Sequence, residues 1–187
     1  MLLQAKHRIM ILANNILDGL PLPDNSIDLI ITDPPYDWDE ADKLFAHNEM
    51  LRVCKGDLLI FAPPENQWVF DNLTRYLFWV KASSTKNFSK NYGRFVEMIF
   101  LYKRGSTWNT KYNWSNYTGV YEDRVVGASK HPYEKPASLL QRFILLHSNP
   151  NNVILDPFAG SGTVISIAES LGRIAFGYDI DEKWLIT

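Results

Sequence analysis

Cysteine is almost missing from this chain. Cys54 stands alone among 187 residues, which excludes an intramolecular disulfide and any cysteine-rich metal site. A cytoplasmic setting is the expectation that follows. Long apolar runs are also missing: none reaches membrane-spanning length, and the first residues carry no signal-peptide pattern. Charge of one sign is not in excess either. The formal net charge is −2, so any nucleic-acid footprint has to be local. His47, His131 and His147 show no metal-ligand spacing; His131 reads as a loop residue and the other two as surface or helix positions. There is no internal repeat and no low-complexity segment. What is present is an ordinary globular composition, 46% hydrophobic and 21% charged, on a length that suffices for one substantial core.

Short apolar runs alternate with helical patterns along the chain, which predicts α/β architecture. Strands are expected at 9–13, 27–31, 57–62, 77–81, 95–102, 153–155 and 174–179. Helices are expected from about Glu40 to Val53, with Leu44, Phe45 and Leu51 as its apolar positions, and around Glu65 to Tyr76. Two more follow Pro136, with Leu139, Leu140, Phe143, Ile144 and Leu146 on one side, and run from about Val164 to Leu171. Asp37 to Glu40 reads as a mobile loop, and Cys54 as a small core residue.

The run Ile27 to Ile31 stops at Asp33-Pro34-Pro35-Tyr36. Proline lacks an N–H and locks φ, so the strand must end there. Its carboxyl edge is where open α/β sheets place ligands. A carboxylate, a stiffened Pro34 carbonyl and a ring side by side suit an exocyclic amine on a planar base. The two acceptors take the N–H protons while the ring stacks on the base. A strand-ending turn with a capping Asp and a packed Tyr fits the tetrapeptide alone equally well.

A second constellation starts at Val153-Ile154-Leu155 and runs through Asp156-Pro157-Phe158-Ala159-Gly160-Ser161-Gly162-Thr163 into a helix, then a strand ending on Asp179. Strand, glycine turn, helix, strand, acid is the logic of nucleoside-cofactor binding. Glycines let the backbone approach, and the terminal acid accepts from ribose hydroxyls. The three-glycine dinucleotide fingerprint is absent, and no Lys-Ser/Thr pair follows as in a phosphate loop. A ribose-bearing cofactor without phosphates fits better, with Asp156 suited to a cationic amino-acid tail.

Between residues 81 and 112 the charges turn one-sided: Lys81, Lys86, Lys90, Arg94, Lys103, Arg104 and Lys111 face only Glu97. Aromatic residues, among them Trp108, Tyr112, Trp114 and Tyr117, are interleaved or follow closely. Cations for phosphates beside rings for bases is the composition of a nucleic-acid surface, for which Lys86, Lys90, Arg94, Lys111 and Trp114 are the candidates. A solvated loop with local ring packing, or a hydrophobic dimer surface, has the same composition.

Taken together, Asp33-Pro34-Pro35-Tyr36 and Asp156 to Thr163 strongly resemble the S-adenosylmethionine-dependent amino-methyltransferases of DNA, which act on adenine N6 or cytosine N4. With the catalytic tetrapeptide first and the cofactor loop last, the order resembles the permuted β class. Leu22 to Leu29, and His131-Pro132 with Glu134-Lys135-Pro136, match flanking pieces, so the resemblance spans nearly the whole chain. It implies a Rossmann-like, mostly parallel, seven-stranded mixed sheet with helices on both faces. The whole of 1–187 would be one methyltransferase domain, with a short target-recognition insertion at about 105–130. It also implies catalytic roles for Asp33, Pro34, Pro35 and Tyr36, and S-adenosylmethionine held by the loop Asp156, Pro157, Phe158, Ala159, Gly160, Ser161, Gly162 and Thr163. By the same resemblance Asp179, with Ile180, meets the ribose and Asn14 the adenine. Lys135, Pro136 and Ser138 close over the methionine moiety, and Asp33 borders the cofactor.

Asp in the first position of the tetrapeptide, where cytosine-acting members often have Ser, points to adenine in DNA. The implied partners are DNA, a possible second copy of the chain and a restriction endonuclease. A cytosine-N4 enzyme, an RNA amino-methyltransferase, or a catalytically silent cofactor-binding subunit that presents nucleic acid are the rival readings. The intact tetrapeptide argues against silence.

Overall fold

In the computed structural model, residues 10–81, 96–105, 107–109, 119–123 and 135–186 are described. Eight strands form one sheet: β1 (Ile11–Ala13), β2 (Ile27–Thr32), β3 (Cys54–Ala62), β4 (Arg75–Lys81), β5 (Val96–Tyr102), β6 (Val120–Asp123), β7 (Val153–Asp156) and β8 (Ile174–Asp179). Their order across the sheet is β1-β8-β7-β2-β3-β5-β4-β6. Pairing is parallel throughout except for β5, which runs antiparallel to both β3 and β4. Three α-helices are present among the described residues, α1 (Glu40–Val53), α2 (Ala137–His147) and α3 (Thr163–Ser170), beside two short 3-10 turns at Ile16–Asp18 and Glu182–Trp184.

The two motif-bearing strands are neighbours. β2 and β7 pair in parallel, Leu29 with Ile154 and Ile30 with Leu155. From β2 the chain crosses through α1 to β3 on one side; from β7 it crosses through α3 to β8 on the other. Right-handed crossovers in opposite directions put their helices on opposite faces. One buried cluster accordingly joins Ala46, Met50 and Val53 of α1 to Ile30, Leu58 and Ile60. The other joins Leu139, Phe143 and Ile144 of α2 and Ile165 and Ala168 of α3 to Leu29, Ile31 and Leu59. The point where strand order reverses opens a crevice at the carboxyl ends of β2 and β7.

Several expectations change. Eight strands replace seven, because Val120–Asp123, inside the segment read as an insertion, adds to the edge of β4. No helix forms around Glu65 to Tyr76. There the Tyr102 hydroxyl donates to the Trp68 carbonyl at 2.6 Å and accepts from the Phe70 N–H at 3.1 Å, so a side chain replaces the helical ladder. Helix α1 has the expected bounds but turns another face inward. Leu44 and Phe45 are exposed, and Ala46, His47, Met50 and Val53 are buried. His47 and His147 lie in helices α1 and α2, as one of their two readings had it, but not at the surface: His47 packs between Phe70 and Tyr102, and His147 pairs with Asp57. In the predicted loop, Asp39 caps α1 by accepting from the Asp42 N–H at 2.9 Å. Cys54 is a buried core residue, as expected. No helix among the described residues is long and apolar enough to cross a membrane.

Candidate active site

Strand β2 delivers its last side chain, Thr32, into the seam with β7. The Thr32 hydroxyl donates to Asp156 Oδ1 at 2.7 Å, and the same oxygen accepts the Phe158 N–H at 3.1 Å. These bonds tie the strand ends together just before each chain leaves the sheet. Burial of Asp156 raises its pKa to about 7, against the pull of Thr32 and the Phe158 N–H and with help from Asp33 and Asp179.

Beyond the seam lies a cavity of about 430 Å³. Its early rim is Asn14, Asp33, Pro34, Pro35 and Tyr36; its late rim is Pro157, Phe158, Asp179 and Ile180. Two sequence motifs over a hundred residues apart thus share one space. Asn15, Ile16 and Trp38 line it too and were not foreseen. Trp38 meets Phe158 edge-on, with centroids 5.3 Å apart, and joins the two rims. Adjacency to Asn14 and Tyr36 was the available signal for all three.

The late rim is shaped by glycine. Gly160 and Gly162 adopt φ of +49° and +77°, and the loop closes back on β8 through the Ala159 N–H to the Tyr178 carbonyl at 2.9 Å. A Cβ at Gly177 would stand 2.5 Å from the Ala159 Cβ and 2.8 Å from the Asp156 carbonyl oxygen, so β8 passes beneath the loop only as glycine. Asp179 is fixed at both oxygens: Oδ2 accepts the Gly160 N–H and Oδ1 the Asp181 N–H, each at 2.8 Å. Each oxygen keeps a further lone pair. Asp156, Ala159, Gly160, Ser161, Gly162 and Thr163 build this wall without lining the cavity.

Does the cavity suit a nucleoside-bearing group? The buried Oδ1 of Asn14 has no hydrogen-bond partner, while its Nδ2 donates to the Gly19 carbonyl at 3.3 Å. An unmatched acceptor at one end, a carboxylate with spare lone pairs along the wall and aromatic rings between them match an amino-purine riboside. The donor set fits.

On the early rim, Asp33 is held from two sides. The Tyr36 hydroxyl donates to Oδ1 at 3.0 Å, and the Lys135 ammonium sits 2.6 Å from Oδ2. Burial pushes the Asp33 pKa above the ordinary carboxylate value, with Lys135 pulling it down and Glu97 pushing it up. Asn66 Nδ2 donates to the Tyr36 carbonyl at 2.7 Å and fixes the turn. Lys135, expected to close over the methionine moiety, pairs with Asp33, itself expected to border the cofactor. It precedes Pro136, which caps α2, and Ser138 lies exposed in the first turn of that helix. Glu97 and Lys81 complete the cluster: Lys81 Nζ lies 2.8 Å from Glu97 Oε1, and Lys135 Nζ lies 3.3 Å from Glu97 Oε2. Neither was foreseen as a site residue, although Glu97 was the lone carboxylate in the basic run. Lys86, Lys90, Arg94, Lys111, Trp114, His131 and Pro132 lie outside the described residues.

Fold and crevice define the class first: an open α/β sheet of the Rossmann-like methyltransferase kind, with its cavity at the switch point. A family model described as DNA methylase, for the N6 and N4 methyltransferases, matches residues 65–185. The chain belongs to that family. Similar proteins include the DNA adenine methyltransferase YhdJ of Escherichia coli K12, 29% identical over 221 residues, covering 88% of this chain and 75% of that one. The Type II methyltransferase M.HinfI of Haemophilus influenzae is 26% identical over 247 residues, covering 96% and 68%. Among solved structures, the M1.HpyAVI–SAM complex superposes with a TM-score of 0.73 at 22% identity, covering 94% of this chain and 95% of that one. The cytosine-N4-specific PvuII DNA methyltransferase gives 0.67 at 14% identity, covering 96% and 86%.

Proposed function

We propose that this protein transfers a methyl group from S-adenosylmethionine to the N6 amine of adenine in DNA. The observation that carries the reading is the shared cavity: Asp33 and Tyr36 on one rim face Phe158 and Asp179 on the other. Adenine is supported by the Asp that opens the tetrapeptide and by the adenine-specific name of a relative.

S-adenosylmethionine fits the cavity and supplies, when bound, a methyl carbon already activated on a sulfonium. Asn14 would accept from its adenine amine and Asp179 from its ribose hydroxyls, and Phe158 would offer a ring face. With an activated donor, the protein has no strong nucleophile to generate. Its work is to place the amine in line and to favour the charge that develops on it. The amine of adenine is a poor nucleophile because its lone pair is delocalised into the ring. N–H bonds to the Asp33 carboxylate and the Pro34 carbonyl favour a pyramidal nitrogen and stabilise its growing positive charge. Tyr36 stacks on the base, which has left the duplex to arrive here. Residues 105–130 would read the surrounding sequence, with β6 as their anchor on the sheet.

Asp33 is acceptor-only, and carries the charge that stabilises the developing ammonium, when it is ionised. Its raised pKa moves the acidic limb of kcat/KM upward from where an ordinary Asp would put it. Labelled cofactor incubated with duplex DNA, single-stranded DNA and RNA, followed by nucleoside analysis, tests the proposal. N6-methyladenine in duplex DNA is the expected product. N4-methylcytosine, or label in RNA alone, would replace the substrate named here, and binding without transfer would mark a silent subunit.

A further inference from the structure

Each oxygen of Asp33 already carries one donor before any substrate arrives, Oδ1 the Tyr36 hydroxyl and Oδ2 the Lys135 ammonium. A lone pair is left on each, but an ammonium 2.6 Å from the carboxylate offsets the negative charge that the developing positive charge on the amine needs. Building on the methyl-transfer reading, we propose that Glu97 is a positioning residue that takes Lys135 away from Asp33 as the amine enters.

Three features support this. Glu97 is buried, and its Oε2 has no hydrogen bond although Lys135 Nζ stands only 3.3 Å away, within ion-pair distance but off hydrogen-bond geometry. A buried oxygen left in this state gains from a donor, and a shift of about half an ångström would supply one. Second, Lys81 holds the other Glu97 oxygen at 2.8 Å and rests over the Trp79 ring, 5.0 Å from its centroid. Glu97 is thereby held in place. Third, the cluster holds two cations and two carboxylates, so moving Lys135 from one carboxylate to the other leaves its net charge unchanged. Lys135 also lies 5.5 Å from the Phe61 ring centroid, a contact that a small shift keeps. The neighbouring acids are Asp156, whose carboxyl feels the charges of Asp33 and Asp179, and Asp179 itself across the cavity.

The arrangement gives Lys135 two alternative partners. With the site empty of substrate it neutralises Asp33; with the amine present it neutralises Glu97, and the Asp33 charge is left to the amine.

The test is a carboxyl-carbon NMR titration of the whole protein, read beside methyl transfer and cofactor affinity. In Glu97→Gln, Lys135 has Asp33 alone to pair with, so the Asp33 midpoint falls by about one pH unit. Transfer to duplex DNA drops about tenfold to a hundredfold in kcat, while the cofactor Kd stays within about twofold. Lys135→Met raises the midpoints of both Asp33 and Glu97, and adding Glu97→Gln to it causes no further loss of kcat. An Asp33 midpoint untouched by Glu97→Gln would overturn the proposal. So would a Glu97 midpoint untouched by Lys135→Met, which decides the matter even where Glu97→Gln does not fold. Wild-type protein that transfers no methyl group would sink the parent reading instead. The titration needs no turnover and judges the sharing of Lys135 separately.

Discussion

The sheet carries a buried charged cluster at each edge, and the two are built differently. At the amino-terminal edge of the parallel strands, Asp57 is saturated. Its Oδ1 accepts the Arg104 and Gly105 N–H groups, both at 2.9 Å, and its Oδ2 meets His147 Nδ1 at 2.7 Å with Lys103 Nζ at 3.6 Å. Burial alone would raise the Asp57 pKa, but His147 and the backbone donors outweigh it and hold the group below its ordinary value. At the carboxyl edge, by contrast, polar atoms are left over: Asn14 Oδ1 and Glu97 Oε2 are buried without a hydrogen bond. Saturation suits a joint that holds β3, β5 and α2 together. Unmatched acceptors, a net cost to the fold on their own, suit a place where something else is to bind.

The comparison would break if both edges answered mutation alike. Asp33→Ala should cost about a thousandfold in turnover with little change in melting temperature or cofactor affinity, measured by methyl transfer, thermal melting and calorimetry. Retained turnover would remove Asp33 from its role. Asp57→Ala should do the opposite. Leaving His147 and two backbone N–H groups unpaired in the interior should cost about 3–5 kcal/mol of stability by denaturant titration, while the folded fraction stays active. Because the folded pKa of Asp57 is depressed, its contribution is present above pH 4 and fades as pH falls below that.

His47 sharpens the same contrast through pH. Burial, with Arg104 nearby, lowers its pKa from 6.5 to about 4. Above pH 6.5 both folded and unfolded forms are neutral, and nothing is lost. Between 6.5 and about 4 the unfolded chain takes up a proton that the fold refuses, so stability falls, by roughly 3 kcal/mol in all. Melting curves of His47→Phe should lack this loss and cross above wild type as the pH drops. At the carboxyl edge the smallest change predicted is Gly177→Ala. Its Cβ meets the cofactor loop, so about 1–3 kcal/mol of stability and some cofactor affinity should go together. Loss of stability alone would separate that loop from the cavity.

How much of this could be read along the chain varies with range. Where one residue's chemistry dictates its neighbours' backbone, the reading was accurate: Pro34 and Pro35 end β2, and Ile174 to Asp179 forms β8 as expected. The bounds of α1 followed from its pattern, but its inward face did not. Leu44 and Phe45 are apolar and exposed, whereas His47 is polar and buried against Phe70 and Tyr102, partners distant in sequence. The helix expected after Glu65 failed for a related reason, since Tyr102 supplies the hydrogen bonds there.

The sequence by itself determined the two chemical kits, Asp33 to Tyr36 and Asp156 to Asp179, and the strand ends on which they sit, because proline and glycine act on the backbone locally. Only the tertiary structure decided that β2 lies against β7, so that both kits open into one cavity. It alone placed Lys135 on Asp33 and Glu97 behind Lys135. The reason is physical: hydrogen bonds and ion pairs act over about 3 Å, and only folding brings residues 33, 97 and 135 within that distance.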